Sequence, residues 1–260
     1  MTPLRISCVS FFNTTPLVYG LQHDASLRLR FGVPSSLLDD LKFNRADVAL
    51  LPVIDYQHAP GLQIIPSGGI GCDGATLTVR LFSRSPIEQT TTLAADTDSH
   101  TSVALARVIF KNCYGLSPRV VPLNEASADD TLLLIGDKVI THPPVDKPVH
   151  LDLGYAWKQL TGLPFVFAVW TARAGVTLGD LPRKLSDARA AGLAHIDELV
   201  ETQAVPHGWP ADVARQYLTD YLRFDIGARQ LEAIARFHTL AYECGVFDHA
   251  PYPLRIASPM

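Results

Sequence analysis

Residues 76–84 read TLTVRLFSR, and residues 163–172 read LPFVFAVWTA. Both runs are rich in β-branched and aromatic residues, which favour extended strands. The segment between them has its own alternation of helix and strand patterns. Two lobes joined by two crossing strands would produce this arrangement. The sequence therefore predicts an α/β fold with a ligand cleft between two lobes, and crossing strands near 76–84 and 163–172.

The first lobe would be discontinuous, because both ends of the chain contribute to it. We expect a larger α/β lobe from residues 1–83 and 169–260, and a smaller α/β lobe from residues 84–168. Near the N-terminus, a strand pattern, a helix opened by Pro34 and the buried run DVALLPVIDY follow one another. This order is typical of a parallel sheet covered by helices. The glycine-rich stretch GLQIIPSGGIGCDG indicates turns.

Composition excludes several classes of function. The chain has 260 residues, of which 47% are hydrophobic and 18% charged, as in an ordinary globular enzyme. Its apolar runs are too short to span a membrane, and a net charge of -4 without basic clusters argues against nucleic acid as a partner. The nine histidines show no metal-binding spacing, so we expect no metal site.

The expected location is cytoplasmic. The N-terminus lacks the basic start and long apolar stretch of a secretory signal. Four widely spaced cysteines, Cys8, Cys72, Cys113 and Cys244, form no C-x-x-C pair. We expect them to be reduced and mostly buried. The sequence carries no signal for an oligomeric state.

Three polar residues follow the first strand in VSFFNTTPL, namely Asn13, Thr14 and Thr15. In open α/β sheets, ligands bind beyond the carboxyl ends of strands. The triplet could equally cap a helix that begins near Pro16, because proline suits the first helical position. The two interpretations are compatible, since Thr15 can act as the cap while Asn13 faces a ligand.

The stretch DTDSHTSVALARVIF predicts a helix that starts with a cluster of hydroxyl groups. Ser99 or Asp98 is a natural N-cap, and Ser99, Thr101 and Ser102 surround the free amides of the first turn. Such a helix start binds carboxylate or phosphate readily. Simple capping is the alternative, but capping needs one hydroxyl and not three, so we favour an anion site.

Other polar residues lie at predicted strand ends or within strands. Thr78 sits in an apolar strand, where threonine is common. Gly136 and Asp137 follow a strand, and so does Asp152, so each could face a ligand or cap a turn. His100 is interpreted as a solvated loop histidine more readily than as a base. No nucleophile motif or nucleotide-binding loop is present. These patterns predict a protein that traps a small organic anion, and they do not separate a carrier from an enzyme.

Six segments in order resemble the chorismate dehydratases of the futalosine route to menaquinone. They are VSFFNTTPL, DVALLPVIDY, GCDGATLTVRLFSRSP, DTDSHTSVALAR, LLIGDKVI and LDLGYAWKQLTGLPFVFAVW, and they span about residues 5–175. The resemblance implies a periplasmic-binding-protein-like type II fold. The implied reaction removes water from chorismate and gives 3-[(1-carboxyvinyl)oxy]benzoate, with no metal or other cofactor.

The resemblance also implies a set of site residues. Asn13 matches an asparagine that lines the family's site, and Thr78 stands where the family has a serine, so Asn13 and Thr78 are the expected catalytic residues. The expected substrate-binding residues are Thr14, Ser99, His100, Thr101, Ser102, Gly136, Asp137 and Asp152. Asparagine cannot accept a proton at neutral pH, so Asn13 would orient the substrate. No base is evident near it, and a substrate carboxylate is the expected proton acceptor.

Two alternatives stay open. A 1,4-dihydroxy-6-naphthoate synthase of the same pathway would need a histidine base in the second lobe. His142 is near the required strand but lies in the sequence THPP, which does not resemble that site. A non-catalytic solute-binding protein would be expected to carry an export signal or a lipid-attachment cysteine near its start, and neither is evident.

Overall fold

The computed structural model describes residues 2–96 and 99–257. The strands are β1 (Leu4–Val9), β2 (Leu27–Gly32), β3 (Val48–Pro52), β4 (Gln63–Cys72), β5 (Val79–Ser83), β6 (Thr92–Ala95), β7 (Arg119–Pro122), β8 (Thr131–Ile135), β9 (Val149–Asp152), β10 (Phe165–Ala172) and β11 (Leu222–Arg223). The helices are α1 (Thr15–Val18), α2 (Pro34–Lys42), α3 (His100–Tyr114), α4 (Lys138–Thr141), α5 (Leu153–Thr161), α6 (Leu181–Ala194), α7 (Ile196–Leu199), α8 (Ala211–Gln216) and α9 (Ala228–Glu243). Two π-helical turns, Val200–Ala204 and Tyr217–Tyr221, follow α7 and α8.

The strands form two mixed sheets. The six-stranded sheet has the order β11-β4-β10-β3-β1-β2, and the five-stranded sheet has the order β7-β6-β8-β5-β9. In the larger sheet β1 is parallel to β2 and β3, while β10 is antiparallel to β3 and β4. In the smaller sheet β6 is parallel to β7 and β8. The α/β class agrees with the sequence prediction. The larger sheet takes strands from before residue 73 and from after residue 164.

Strands occur near both positions where crossing strands were expected, but each strand pairs within one sheet. β5 lies between β8 and β9, and β10 lies between β4 and β3. The chain passes from one sheet to the other through residues 73–78 and returns through residues 153–164, which contain α5. The lobe boundaries at 83/84 and 168/169 stay a prediction. They would assign β5 and the first half of β10 to the lobe opposite the sheet in which each strand pairs.

The hydrophobic core has two large parts. One cluster joins the sheets, with Leu51 of β3, Leu81 of β5 and Leu133 of β8 all 0% exposed. The other includes Ile6 of β1 and Trp170 of β10. A sheet buried on both faces explains why residues 48–54 within DVALLPVIDY are apolar throughout. Within the described ranges, no helix is long and apolar enough to cross a bilayer.

Strand β4 corrects the expectation of turns in GLQIIPSGGIGCDG. Ten residues of this stretch form a strand, and nine of them are buried or half-buried. A Cβ atom on Gly69 would lie 2.6 Å from the carbonyl oxygen of Ala168, and one on Gly71 would lie 2.6 Å from that of Phe165. The glycines therefore permit a close, irregular pairing with β10.

Candidate active site

A cavity of about 80 Å³ is lined by residues of both sheets and of the segments that connect them. Its polar lining residues are Asn13, Thr76, Thr78, Ser99, Thr101, Ser102 and Tyr217. Most of the other lining residues are apolar, such as Ile70, Phe167 and Leu222. Every described residue that lines the cavity is uncharged. The cavity thus offers neutral hydrogen-bonding groups inside an apolar wall.

Asn13 reaches this cavity because β1 ends at Val9 and a 3-10 turn, Phe12–Thr14, follows. The Asn13 side-chain amide donates through Nδ2 to the phenol oxygen of Tyr217, at 3.3 Å. The expected role of Thr15 as helix cap is wrong, because Thr14 holds the N-cap position of α1. The Thr15 hydroxyl donates instead to the carbonyl of Phe12, at 2.8 Å.

Thr78 lies in the connection just before β5 and is 2% exposed. Its hydroxyl is 2.8 Å from the Tyr217 phenol oxygen, so one phenol contacts both residues expected to be catalytic. Gly136 is beside it, since its amide donates to the Thr78 carbonyl at 2.9 Å. Gly136 has a φ of 62°, a left-handed conformation that suits glycine.

Tyr217 is a site residue that sequence reasoning missed. It is 2% exposed and begins the π-helical turn Tyr217–Tyr221. Burial raises the pKa of its phenol to about 12, and the bonds to Thr78 and Asn13 offset this only in part. The phenol is therefore neutral at physiological pH. In the sequence PADVARQYLTDYLRF this tyrosine resembles any buried helical aromatic, and ordinary helical periodicity does not anticipate a π turn.

Helix α3 begins at the cavity. Ser99 holds the N-cap position, and its hydroxyl donates to Ser102 Oγ at 2.7 Å. Thr101 Oγ1 accepts a bond from the amide of Ile54 at 3.4 Å. Thr101 and Ser102 are each 2% exposed and line the cavity, as does Ser99. The first amides of a helix lack intrahelical acceptors and carry partial positive charge. The other expected N-cap, Asp98, lies outside the described residues.

Asp137 and Asp152 were expected to bind substrate, but they lie outside the lining set. Asp137 accepts a bond from the indole Nε1 of Trp209, at 3.0 Å. Asp152 caps α5 by accepting from the amide of Tyr155. It also accepts from the amides of Thr76 and Leu77, at 3.0 and 2.8 Å. Asp152 therefore holds the two sheet-to-sheet connections together.

Thr14 and His100 also lie outside the lining set. Thr14 is 1% exposed, and its hydroxyl donates weakly to Asn13 Oδ1 at 3.5 Å. His100 begins helix α3 and is not the loop histidine that was expected. Its Nδ1 is 2.8 Å from Oδ1 of Asp55, a carboxylate that is fully buried. The pair joins α3 to the turn that follows β3.

The cysteines correspond in part to expectation. All four are unpaired. Cys8 and Cys72 are buried, whereas Cys244 is half-buried and Cys113 is exposed, so the prediction that most are buried holds for two of them.

His142, the base that the naphthoate synthase alternative would use, is exposed, bonds to the hydroxyl of Thr141 and lies outside the lining set.

The fold is similar to those of solved structures, one of which is a periplasmic binding protein. A protein of Archaeoglobus fulgidus solved by structural genomics superposes with a TM-score of 0.76 at 15% identity, over 94% of this chain and 98% of that one. The periplasmic aliphatic sulphonate binding protein of Escherichia coli superposes with a TM-score of 0.66 at 14% identity, over 96% and 95%. At these identities the likeness concerns the fold alone. The expected periplasmic-binding-protein-like fold is confirmed.

Sequence comparisons give the family. A chorismate dehydratase of Thermus thermophilus is 29% identical over 243 residues, which cover 85% of this chain and 89% of that protein. A chorismate dehydratase of Campylobacter jejuni is 30% identical over 168 residues, which cover 65% and 61%. The family described as menaquinone biosynthesis matches residues 4–243. Because this match spans most of the chain, the protein belongs to the menaquinone biosynthesis family.

Proposed function

We propose that this protein is a hydro-lyase of menaquinone biosynthesis that converts chorismate into 3-[(1-carboxyvinyl)oxy]benzoate. Membership of the family and similarity to two chorismate dehydratases support this reaction. The observation that carries it at the site is the cavity itself. Its described lining combines an amide, several hydroxyls and a helix start with apolar walls, and holds no ionised side chain.

The start of α3 is proposed to bind one carboxylate of chorismate. The protein has a net charge of -4, which repels a doubly anionic ligand. Helix amides carry about half a positive charge at the N-terminus and attract anions without a formal charge. The hydroxyls of Ser99 and Ser102 bond to each other instead of capping the helix, which supports a ligand-facing role.

The proposed chemistry removes a ring proton and a hydroxyl group. The electron pair of the C–H bond becomes a ring double bond, the C–O bond breaks, and hydroxide leaves with a proton as water. The reaction is redox-neutral and forms an aromatic ring, so it requires no electron-transfer cofactor. The described lining offers no carboxylate or imidazole as base. We propose that a substrate carboxylate accepts the ring proton.

The enzyme would then act by orientation and by fixed dipoles. Asn13 and Thr78 would bind the substrate so that its carboxylate and its ring proton are close together. Correct orientation of reacting groups can contribute several kcal/mol, and donors directed at developing charge contribute more. The apolar wall that includes Phe167 and Leu222 would limit water around these bonds.

A cytoplasmic location is also proposed, supported by the four unpaired cysteines.

Incubation of the purified protein with chorismate tests the proposal. We expect a product lighter by one water, with the absorbance of a benzoate. Asn13→Ala should reduce turnover about 10²- to 10³-fold, because one oriented donor is lost, while thermal stability changes little. Binding of chorismate without conversion would favour the solute-binding alternative. A protein that neither binds nor converts chorismate would contradict the assignment.

A further inference from the structure

We propose that Tyr217 is a positioning residue of this cavity, whose phenol fixes the Asn13 amide and directs the Thr78 hydroxyl proton toward the ligand. The inference rests on the proposed function for the identity of the ligand. Its geometric part concerns three side chains from distant parts of the chain, which are brought together by hydrogen bonds of 3.3 and 2.8 Å.

The direction of the Asn13 bond follows from counting protons. Either oxygen of the Thr78–Tyr217 pair can donate, and in the proposed arrangement the phenol is the donor. Nδ2 of Asn13 is a donor only, so the Tyr217 oxygen accepts that bond. The phenol has one proton of its own, and the Thr78 oxygen at 2.8 Å is a suitable acceptor. When the phenol donates to Thr78, the proton of the Thr78 hydroxyl is left for another partner. Because Thr78 lines the cavity, that partner is the ligand.

The Asn13 amide is held in the matching orientation. The Thr14 hydroxyl lies 3.5 Å from Asn13 Oδ1 and donates to it, so Nδ2 is the end that faces Tyr217. An amide nitrogen carries two protons. One is used by the Tyr217 oxygen, and the second is available to the ligand. The arrangement thus presents two neutral donors, one from Asn13 and one from Thr78.

Aromatic packing keeps the phenol in place. The Tyr217 ring stacks on Trp209, with ring centroids 5.2 Å apart and an angle of 25° between the planes. The centroid of the Phe12 ring lies 6.3 Å from that of Tyr217. Trp209 is in turn bonded to Asp137. A ring held between two aromatic neighbours loses little further freedom when ligand binds, so its hydroxyl is already oriented.

A neutral phenol is required for this direction of bonding. An ionised Tyr217 would accept from both neighbours, and the Thr78 proton would then point away from the ligand. Burial raises the pKa of Tyr217 to about 12, and the negative charge of Asp137 acts in the same direction. The phenol therefore keeps its proton throughout the physiological range.

The two donors select the chemistry of the ligand group that they meet. Neutral donors in an apolar cavity stabilise an oxygen that is negative or becomes negative, such as a carboxylate or a departing hydroxyl. For the proposed dehydration, both oxygens exist on the same substrate. Tyr217 would act on either one only through Asn13 and Thr78.

The kinetic test is Tyr217→Phe, which keeps the ring and its stacking but removes the oxygen. We expect kcat for chorismate to fall about 10²-fold, as when reacting groups are misplaced by ~1 Å, with a smaller change in KM. In a Thr78→Ala background the same change should cost less, because only the part of its effect that passes through Asn13 remains. Tyr221→Phe, in the same π turn but outside the lining set, should retain wild-type turnover. Wild-type kcat in Tyr217→Phe would overturn the inference.

A second measurement needs no substrate. The side-chain amide signals of Asn13 in a 15N-correlated NMR spectrum can be assigned by their loss in Asn13→Ala. We expect them to shift in Tyr217→Phe and to stay in place in Tyr221→Phe. Unmoved signals in Tyr217→Phe would overturn the positioning role. Shifted signals in a protein that is inert toward chorismate would reject the proposed function and support the positioning role.

Discussion

At the scale of single residues, His238 shows how burial fixes a protonation state. It is 1% exposed on helix α9, and its Nε2 lies 2.7 Å from the carbonyl oxygen of Val53. A carbonyl only accepts, so Nε2 carries the proton. Nδ1 lies 2.8 Å from the amide nitrogen of Gln57, which donates to it. The neutral ring therefore satisfies both contacts, and a second proton would break one of them.

The stability of the protein should consequently depend on His238 between about pH 6.5 and pH 4. Burial lowers the pKa of His238 to about 4, so the unfolded state takes up a proton at a higher pH than the folded state. Acidification through this window favours unfolding, by on the order of 3 kcal/mol in total. Urea denaturation of wild type and His238→Gln at several pH values should show a steeper loss of unfolding free energy in the wild type.

The exposed His195 provides the control. Its Nδ1 lies 2.7 Å from the Ala191 carbonyl, and His195→Gln should keep the wild-type slope. A hydrogen bond from Lys184 lowers the pKa of Asp24 to about 2, and one from Arg5 lowers that of Asp47 to about 2. The stability that these two carboxylates contribute is therefore lost only below pH 4. If the free energy of unfolding falls in parallel in wild type and His238→Gln above pH 4, the loss of stability in this window does not come from His238.

The residues of the site differ in how far the sequence could predict them. Asn13 follows a strand that the sequence indicates clearly, and polar residues at a strand's carboxyl end are expected to meet ligand. Asp152 has the same local pattern, yet its carboxylate is used by backbone amides of residues 76, 77 and 155. Local sequence does not distinguish these outcomes, because the partners of Asp152 are 75 and 76 residues away in the chain.

At the scale of elements, the start of α3 is expected to bind one carboxylate of the substrate, and this expectation can be tested at a single hydroxyl. Ser102→Ala removes a hydroxyl that accepts from Ser99 and lines the cavity. We expect KM for chorismate to rise about 3- to 10-fold, corresponding to the loss of one neutral hydrogen bond, with kcat less affected. Steady-state kinetics and thermal melting of the variant measure the two effects separately.

Ser186→Ala is the matched control for this prediction. Ser186 lies on α6 outside the cavity, and its hydroxyl donates to the carbonyl of Pro182. It should leave KM unchanged. Thr101 is a poorer choice for the test, because its hydroxyl also accepts from the Ile54 amide and its loss would affect packing. An unchanged KM in Ser102→Ala together with a lower melting temperature would identify Ser102 as a structural group only.

Elements with a strong local pattern were predictable, and those that depend on distant partners were not. The helix α2 follows from Pro34 and its buried leucines, and β3 follows from its apolar run. β4 is extended because β10 pairs with it along nearly its whole length, which overrides the turn preference of its glycines. β9 is four residues long and pairs with β5 about 70 residues earlier. So short a strand gives little local signal.

At the scale of the whole molecule, Asp152 and Asp137 each take part in a contact that helps to join the halves of the cleft. Asp152 ties the connecting segments together, as described above. Across the cavity, Asp137 follows a strand of the smaller sheet, whereas Trp209 belongs to the core cluster around the larger sheet. Two lobes could be predicted from the order of patterns along the chain. The contact between Asp137 and Trp209 could not, because it joins two loops 72 residues apart.

We expect the Asp137–Trp209 bond to favour the closed form of the cleft. Asp137→Ala removes the acceptor without changing the aromatic stack on Tyr217. Its KM for chorismate should rise about tenfold, in line with the loss of a hydrogen bond to a charged group, because ligand then binds a form that is less populated. Small-angle scattering should show a larger radius of gyration in the ligand-free variant.

Asp137→Asn separates this structural role from a catalytic one. Its amide oxygen can still accept from the Trp209 indole, so the closed form and the KM should stay near wild type. A proton-accepting carboxylate at this position would give the opposite result, since the asparagine variant would bind chorismate without turning it over. Trp209→Phe should resemble Asp137→Ala, and the double variant should be little worse than either single one, because both remove the same bond. Additive effects of the two changes would show that Asp137 and Trp209 act independently, and closure would then depend on other contacts.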